Sequence, residues 1–198
     1  DAMVKQATGA SYPAVSDKII FSSKLPLPPL PEQRRIAAIL DEADALRAQR
    51  RIALAKLDEL LQSVFIEMFG DPVTNSKKWK TLPLSKITAQ INDCLHSTPV
   101  WTDRGKICLR TSNLGVGYWD WTETRYVSEA TYSERSSRGH IEPGDIVLSR
   151  EGTVGIAAIV KPNMKVCMGQ RLVQVRVNDS FMTPDYLLRY LLIALSPK

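Results

Sequence analysis

The chain has 198 residues, enough for one domain or two small ones, and its 44% apolar and 24% charged content is that of an ordinary globular protein. No apolar run approaches the roughly 18 residues of a membrane span, and Asp1-Ala2-Met3-Val4-Lys5 has neither the basic nor the apolar region of a signal peptide. The net charge of +5 is uneven: residues 31–70 carry six Lys/Arg against seven Asp/Glu, residues 71–198 carry seventeen against twelve, and residues 1–30 add +1. A basic region suits an anionic partner, most often nucleic acid. Three cysteines without a CxxC pair and two distant histidines argue against structural zinc and a disulfide framework, and fit a reducing cytoplasm.

Residues 1–30 are short and turn-rich, with Thr8-Gly9-Ala10-Ser11-Tyr12-Pro13 ahead of the apolar run Ile19-Ile20-Phe21. They are too few to build a core alone. A long helix is predicted from Pro31 to Phe69, entered through Leu25-Pro26-Leu27-Pro28-Pro29-Leu30 and stopped by Gly70-Asp71-Pro72. Its residues Ile36, Ile39, Ala43, Leu46, Arg50, Ala53, Leu57, Leu60 and Val64 step by threes and fours, the heptad seam of a coiled coil. Arg50 breaks the seam as a register device, as the partner of an acid, or as an arginine that snorkels outward. At 1.5 Å per residue the helix is roughly 57 Å long, a strut longer than a domain this small is wide.

From Trp79 the pattern changes to short β-like runs, Lys106–Arg110, Asp145–Ser149, Gly155–Val160 and Leu172–Val177, the last alternating apolar and polar as a half-buried strand should. Pro143-Gly144-Asp145 and Pro162-Asn163 mark turns, and an amphipathic helix runs from about Pro184 to Leu195. The expected fold class is α+β: a long coiled-coil-forming helix followed by a mixed α/β, strand-rich domain.

Catalytic patterns are missing. Gly152-Thr153-Val154-Gly155 has no following lysine for a phosphate loop, Asp145 and Glu151 lack the lysine of a metal-nuclease set, and there is no GxSxG elbow. Recognition is better supported. Arg110-Thr111-Ser112-Asn113 closes one strand, Arg150-Glu151-Gly152 follows another, Gly169-Gln170-Arg171 precedes a third, and Arg125, Arg135 and Arg138 lie in a long polar stretch. Arginine reads guanine bidentately, Asn and Gln read adenine, and Ser or Thr serves bases or phosphates. Each residue alone reads as a solvated loop side chain; the set, on a basic region, favours nucleic acid. Tyr118-Trp119-Asp120-Trp121 is either a base-stacking platform or hairpin packing, and such aromatic density favours packing.

The stretch Leu25–Ala37, with Pro31-Glu32-Gln33-Arg34-Arg35-Ile36 at its centre and a long helix behind it, resembles the conserved region of type I restriction-modification specificity subunits. Asp93–Pro99, Leu109–Leu114, Pro143–Gly152 and Gly169–Leu172 are similar to pieces of that family's target recognition domain. The resemblance implies a non-catalytic subunit that reads half of a bipartite duplex site and positions a methyltransferase. It places S-adenosylmethionine, ATP and Mg on partner modification and restriction subunits, with no cofactor or metal on this chain. On this basis residues 1–30 are the closing segment of a recognition domain, 31–70 a spacer helix, and 71–198 a recognition domain lacking its own closing segment. The expected DNA-binding set is Arg110, Thr111, Ser112, Asn113, Arg125, Arg135, Arg138, Arg150, Glu151, Gln170 and Arg171, with Lys5, Thr8 and Tyr12 from the closing segment.

In that family the closing piece, a turn and a short apolar strand, follows the domain; here residues 6–30 stand before the helix. A continuous strut keeps them from the domain at its far end. The expectation is an antiparallel homodimer in which residues 1–30 of one chain complete residues 79–198 of the other, and the alternative is a piece cut from a longer subunit. The competing function is a coiled-coil assembly module without DNA specificity.

Overall fold

The computed structural model describes residues 14–195, so Lys5, Thr8 and Tyr12 lie outside the described residues. The chain divides into two compact units, residues 1–56 and 57–198.

In the first unit, helix α1 (Asp17–Ser22) opens with Asp17 in its first turn. The Ser16 carbonyl accepts from the amides of Ile19 and Ile20 at 2.9 and 3.1 Å. The Ser22 and Ser23 hydroxyls donate to the Ile19 carbonyl at 3.2 and 2.7 Å. The run Ile19–Phe21, expected as a strand, is therefore helical. Three consecutive apolar residues carry no alternation, and the serines around them satisfy a helical turn locally. The run packs little of its surface, and Phe21 is 88% exposed.

Helix α2 (Leu30–Phe69) has 40 residues and begins one position earlier than predicted. Its entry is fixed by Gln33, whose Nε2 donates to the Pro28 carbonyl at 2.7 Å, and Glu32 pairs with Arg35 at 2.7 Å. Ile36, Ile39, Ala43, Leu46, Arg50, Ala53, Leu57, Leu60 and Val64 are all exposed, and Phe65 is the buried residue of the helix.

The second unit contains the last turns of α2, and their end is built by side chains. Gly70 (φ +85°) takes the left-handed position that stops a helix, with its amide bonded to the Ile66 carbonyl at 2.8 Å. Lys77 Nζ donates to the carbonyls of Glu67 and Met68 at 2.6 and 2.8 Å, and Trp79 Nε1 to that of Phe69 at 2.8 Å. Carbonyls that a helix end leaves without partners are thus satisfied. Phe65 and Phe69 pack on the Tyr186 ring, with centroids 5.7 and 5.1 Å away.

Two four-stranded sheets follow. The strands are β1 (Thr88–Asp93), β2 (Trp101–Thr102), β3 (Lys106–Leu109), β4 (Tyr126–Val127), β5 (Ile146–Ser149), β6 (Ala157–Ile159), β7 (Val166–Met168) and β8 (Leu172–Val177), and the helices are α3 (Leu84–Ile87), α4 (Glu129–Arg135) and α5 (Pro184–Ala194). One sheet has the order β1-β8-β5-β6 and the other β2-β4-β3-β7; every pairing is antiparallel except β3 with β7. Leu109, Val147, Val160 and Leu172 centre one core cluster, and Ile146, Val175, Leu188 and Leu191 centre a second that joins the first sheet to α5. A third holds Cys108, Val127 and Cys167. All three cysteines are free and buried; Cys108 and Cys167 are register partners, and their hydrogen bond, with burial, pushes the Cys108 thiol up.

Strand β8 differs from the half-buried strand expected. Its polar residue Gln174 is fully buried, because the segment from His140 to Asp145 covers that face. Asp145, 1% exposed, accepts from Arg176 Nε at 2.7 Å and Nη2 at 2.9 Å, from Gln174 Nε2 at 2.5 Å and from the Glu142 amide at 2.7 Å. Asn92 Nδ2 donates to Gln174 Oε1 at 2.9 Å, which ties in β1. A polar face can be buried when every member of such a network has a partner.

Candidate nucleic-acid interface

The strand register brings the sequence-predicted loops together. Asp93, the last residue of β1, stands opposite Val173, and Ser149, the last of β5, opposite Leu172 at the start of β8. Leu109, the last of β3, is the parallel partner of Met168, the last of β7. The segments 94–98, 110–113, 150–155 and 169–171 therefore leave their strands at one common rim. They are bonded to one another there. The Gly169 amide donates to the Leu109 carbonyl at 2.8 Å, the Arg150 amide to the Arg171 carbonyl at 3.0 Å, and the Cys94 amide to the Leu172 carbonyl at 3.2 Å. A Cβ on Gly169 would meet the Leu109 carbonyl oxygen at 2.5 Å, so this close approach of two loops needs glycine.

Two of the predicted recognition residues build the rim from inside. Asn113 is 1% exposed; its Oδ1 accepts from the Arg110 amide at 2.9 Å and its Nδ2 donates to the carbonyls of Asp120 and Glu123 at 3.1 and 2.8 Å. Arg135, 6% exposed, donates to the carbonyls of Met168 and Gly169 at 3.3 and 3.2 Å and to that of Ser97 at 2.5 Å. It locks the 94–98 segment to the segment after β7. Both were expected to face DNA, and both are turned inward instead because loop carbonyls far apart in sequence need internal donors.

The other predicted residues within the described range are partly or fully accessible. Arg110 pairs with Glu123 at 3.4 Å, above a 3₁₀ turn in which Thr111 is half-buried and Ser112 exposed. Arg125 lies over the Trp101 ring, its guanidinium carbon 5.4 Å from the centroid, and its carbonyl accepts from the Cys108 amide at 3.0 Å. Arg138 Nη1 donates to the carbonyls of Asp93 and Cys94 at 3.3 and 3.2 Å. Arg150 pairs with Asp93 at 3.0 Å and Glu151 at 3.2 Å, while Arg171, 3.9 Å from Glu151, stands at φ +67° with its side chain 59% exposed. Gln170 is bonded to the His96 carbonyl and to Thr98. These arginines (Arg110, Arg125, Arg138, Arg150, Arg171) stand beside the carboxylates Asp93, Asp120, Glu123 and Glu151, five to four.

Sequence reasoning missed Asp93 and His96 as members of this rim. His96 Nε2 lies 3.0 Å from Asp93 Oδ2, the oxygen that also accepts from Arg150. The aromatic run packs: Trp119 Nε1 donates to the Ile159 carbonyl at 2.7 Å, and its ring stacks on Trp121 at 5.6 Å.

Comparison with known proteins finds a likeness to one family. The type I restriction modification DNA specificity domain matches residues 1–56. The specificity subunit of the type I restriction enzyme MjaVIII of Methanocaldococcus jannaschii is 26% identical over 156 residues, 73% of this chain and 36% of that one. This chain is similar to the type I specificity subunits. The EcoKI specificity subunit of Escherichia coli is 25% identical over 181 residues, covering 82% of this chain and 38% of its own length. A solved chain from work on complex assembly and conformational transition of the type I R-M system is similar over 92% of this chain and 46% of its own, with 25% identity and a TM-score of 0.50. The chain thus spans well under half the length of the specificity subunits it matches. No helix among the described residues is long and apolar enough to cross a membrane.

Proposed function

We propose that the chain is a DNA-recognition part of a type I specificity subunit, reading half of a bipartite duplex site and positioning a methyltransferase. The carrying observation is the common rim, where loops from both sheets meet and present five arginines beside Ser112, Gln170 and His96. Arginine and polar side chains on interlocked loops suit DNA, in which phosphate contacts position the protein and base contacts specify. The modification subunits that carry the methyl-transfer chemistry are the proposed partners, with α2 as their docking surface.

Pairing of two copies through α2 is part of the same proposal. It is supported by the exposed seam and by the apolar side chains of the closing segment, Phe21, Leu25 and Leu27, which are 88%, 78% and 84% exposed. An antiparallel partner whose domain takes up residues 1–30 would cover them.

Binding to random duplex DNA at low and moderate salt, with modification subunits supplied, tests the reading. Affinity is expected to fall steeply with salt, with a log–log slope near −0.9 for each phosphate neutralised. Binding that ignores salt, or none at low salt, would favour a coiled-coil assembly module.

A further inference from the structure

Arg150 is held differently from every other arginine of the rim. Its Nη1 donates to Asp93 Oδ2 at 3.0 Å, and its Nε and Nη2 both donate to Glu151 Oε1 at 3.3 and 3.2 Å. Three of the five guanidinium N–H bonds are used, which leaves one on each terminal nitrogen. The side chain keeps 38% of its surface exposed. Asp93 is itself fixed. Its carboxylate ends β1, its Oδ2 also meets His96, and its backbone carbonyl accepts from Arg138. Its Oδ1 is buried without a hydrogen-bond partner. An unpaired buried oxygen costs stability and calls for a reason. The reason on this rim is orientation, because the carboxylate is turned so that one oxygen serves both Arg150 and His96.

The anchoring of Arg150 separates two uses of an arginine on DNA. Carboxylates at 3.0 and 3.2 Å hold its guanidinium from two sides, which leaves it little freedom to follow a phosphate. A guanidinium locked in one plane by two carboxylates loses little freedom when it makes two further hydrogen bonds to a base edge. Arg171, more exposed and 3.9 Å from Glu151, has the looser arrangement of a phosphate contact.

We propose that Arg150, buttressed by Asp93 and Glu151, is a specificity-determining subsite for a guanine, reading O6 and N7 in the major groove, with Asp93 as its positioning residue. The assignment rests on the DNA-recognition reading above and adds to it a base class and a residue. A bidentate arginine–guanine contact corresponds to roughly 5- to 150-fold discrimination.

The test selects duplexes from a random library with the full chain and modification subunits, using the unaltered protein, Asp93→Asn, Arg150→Lys and Arg171→Ala. Asp93→Asn keeps the size of the side chain and removes the buttressing charge; Arg150→Lys keeps the charge and removes the fork. The unaltered protein is expected to select a site with a G·C pair that both variants stop preferring, by a factor in that range. Affinity for random duplex should rise slightly in Asp93→Asn, which removes one negative charge, and should change far less than selectivity in Arg150→Lys, which keeps its charge, whereas Arg171→Ala should weaken binding to all duplexes and flatten the salt dependence. Unfolding midpoints confirm that the variants fold. A selected site that Asp93→Asn and Arg150→Lys retain overturns the subsite alone, as does a uniform loss of affinity with a flatter salt slope. If the unaltered protein selects no site, the DNA-recognition reading falls, and the subsite with it.

Discussion

Asp145 shows how a residue type that suggests chemistry is consumed by the fold. Its carboxylate is the acceptor for Arg176, Gln174 and the Glu142 amide, and the segment from His140 to Asp145 is held over β8 through it. Truncation to alanine would leave the buried Gln174 amide with the His140 carbonyl alone, and the Arg176 guanidinium with that carbonyl and Glu142. Removing one partner of a buried ion pair costs about 3–5 kcal/mol. The Arg176 side chain is 28% exposed and regains water, which moves the expectation to the lower end, about 3 kcal/mol. Urea unfolding of Asp145→Ala should show a loss near that size, and Asp145→Asn, which keeps an acceptor oxygen, a smaller one. A loss under ~1 kcal/mol would mean the network contributes little.

At the scale of elements, the parts legible in the sequence are those whose signal is local. Helix α2 declares itself through uninterrupted periodicity between Pro31 and Gly70, and α5 through Pro184 and an apolar stripe capped by Thr183, whose Oγ1 accepts from the Tyr186 amide at 3.3 Å. Strand β1 escaped notice because Thr88, Gln90 and Asn92 are polar and find their partners across 82 residues in the case of Asn92 and Gln174. Strand β7 has three residues, all buried, too few to show a period. Helix α4 buries an arginine rather than an apolar stripe. The rim was legible as motifs and not as a site. Its assembly depends on the β3–β7 pairing, which no local pattern announces, and the same non-local bonds turned Asn113 and Arg135 inward.

The junction of α5 with the end of α2 also carries a pH signature. Burial, and then the neighbouring Tyr190, hold the Tyr186 phenol above the ordinary tyrosine range. An unfolded tyrosine ionises near pH 10. Above that pH the unfolded chain has lost a proton that the folded chain keeps, so the unfolded state binds fewer protons and stability falls as pH rises. The urea midpoint should be flat from about pH 7 to 9 and decline beyond about pH 10. Tyr186→Phe, which retains the ring contacts with Phe65 and Phe69, should reduce that decline; an unchanged slope would place its origin elsewhere.

For the molecule as a whole, α2 carries much exposed apolar surface among the described residues, on its seam and also at Leu40, Ile52, Leu54 and Leu61. Six large apolar side chains, Ile36, Ile39, Leu46, Leu57, Leu60 and Val64, are between 41% and 59% exposed on a helix of 40 residues. A fully buried side chain of this kind contributes about 1.5–3 kcal/mol. Half-burial of twelve such side chains in a pair of helices yields on the order of 9–18 kcal/mol, against roughly 4–15 kcal/mol for the lost freedom of association. The two ranges overlap, so the pairing proposed above is expected to be concentration-dependent and sensitive to single seam residues. Arg50 stands within this seam and is exposed, the position at which coiled coils accept a polar residue for register at a cost in stability. Leu46→Glu should shift the sedimenting species toward monomer while the unfolding of residues 57–198 is unchanged. Arg50→Leu should move it the other way and tighten the pair, at the expense of a unique antiparallel register. If both variants sediment as the unaltered chain does at every concentration, the seam is covered by something other than a second copy, and the modification subunits become the remaining occupants to test.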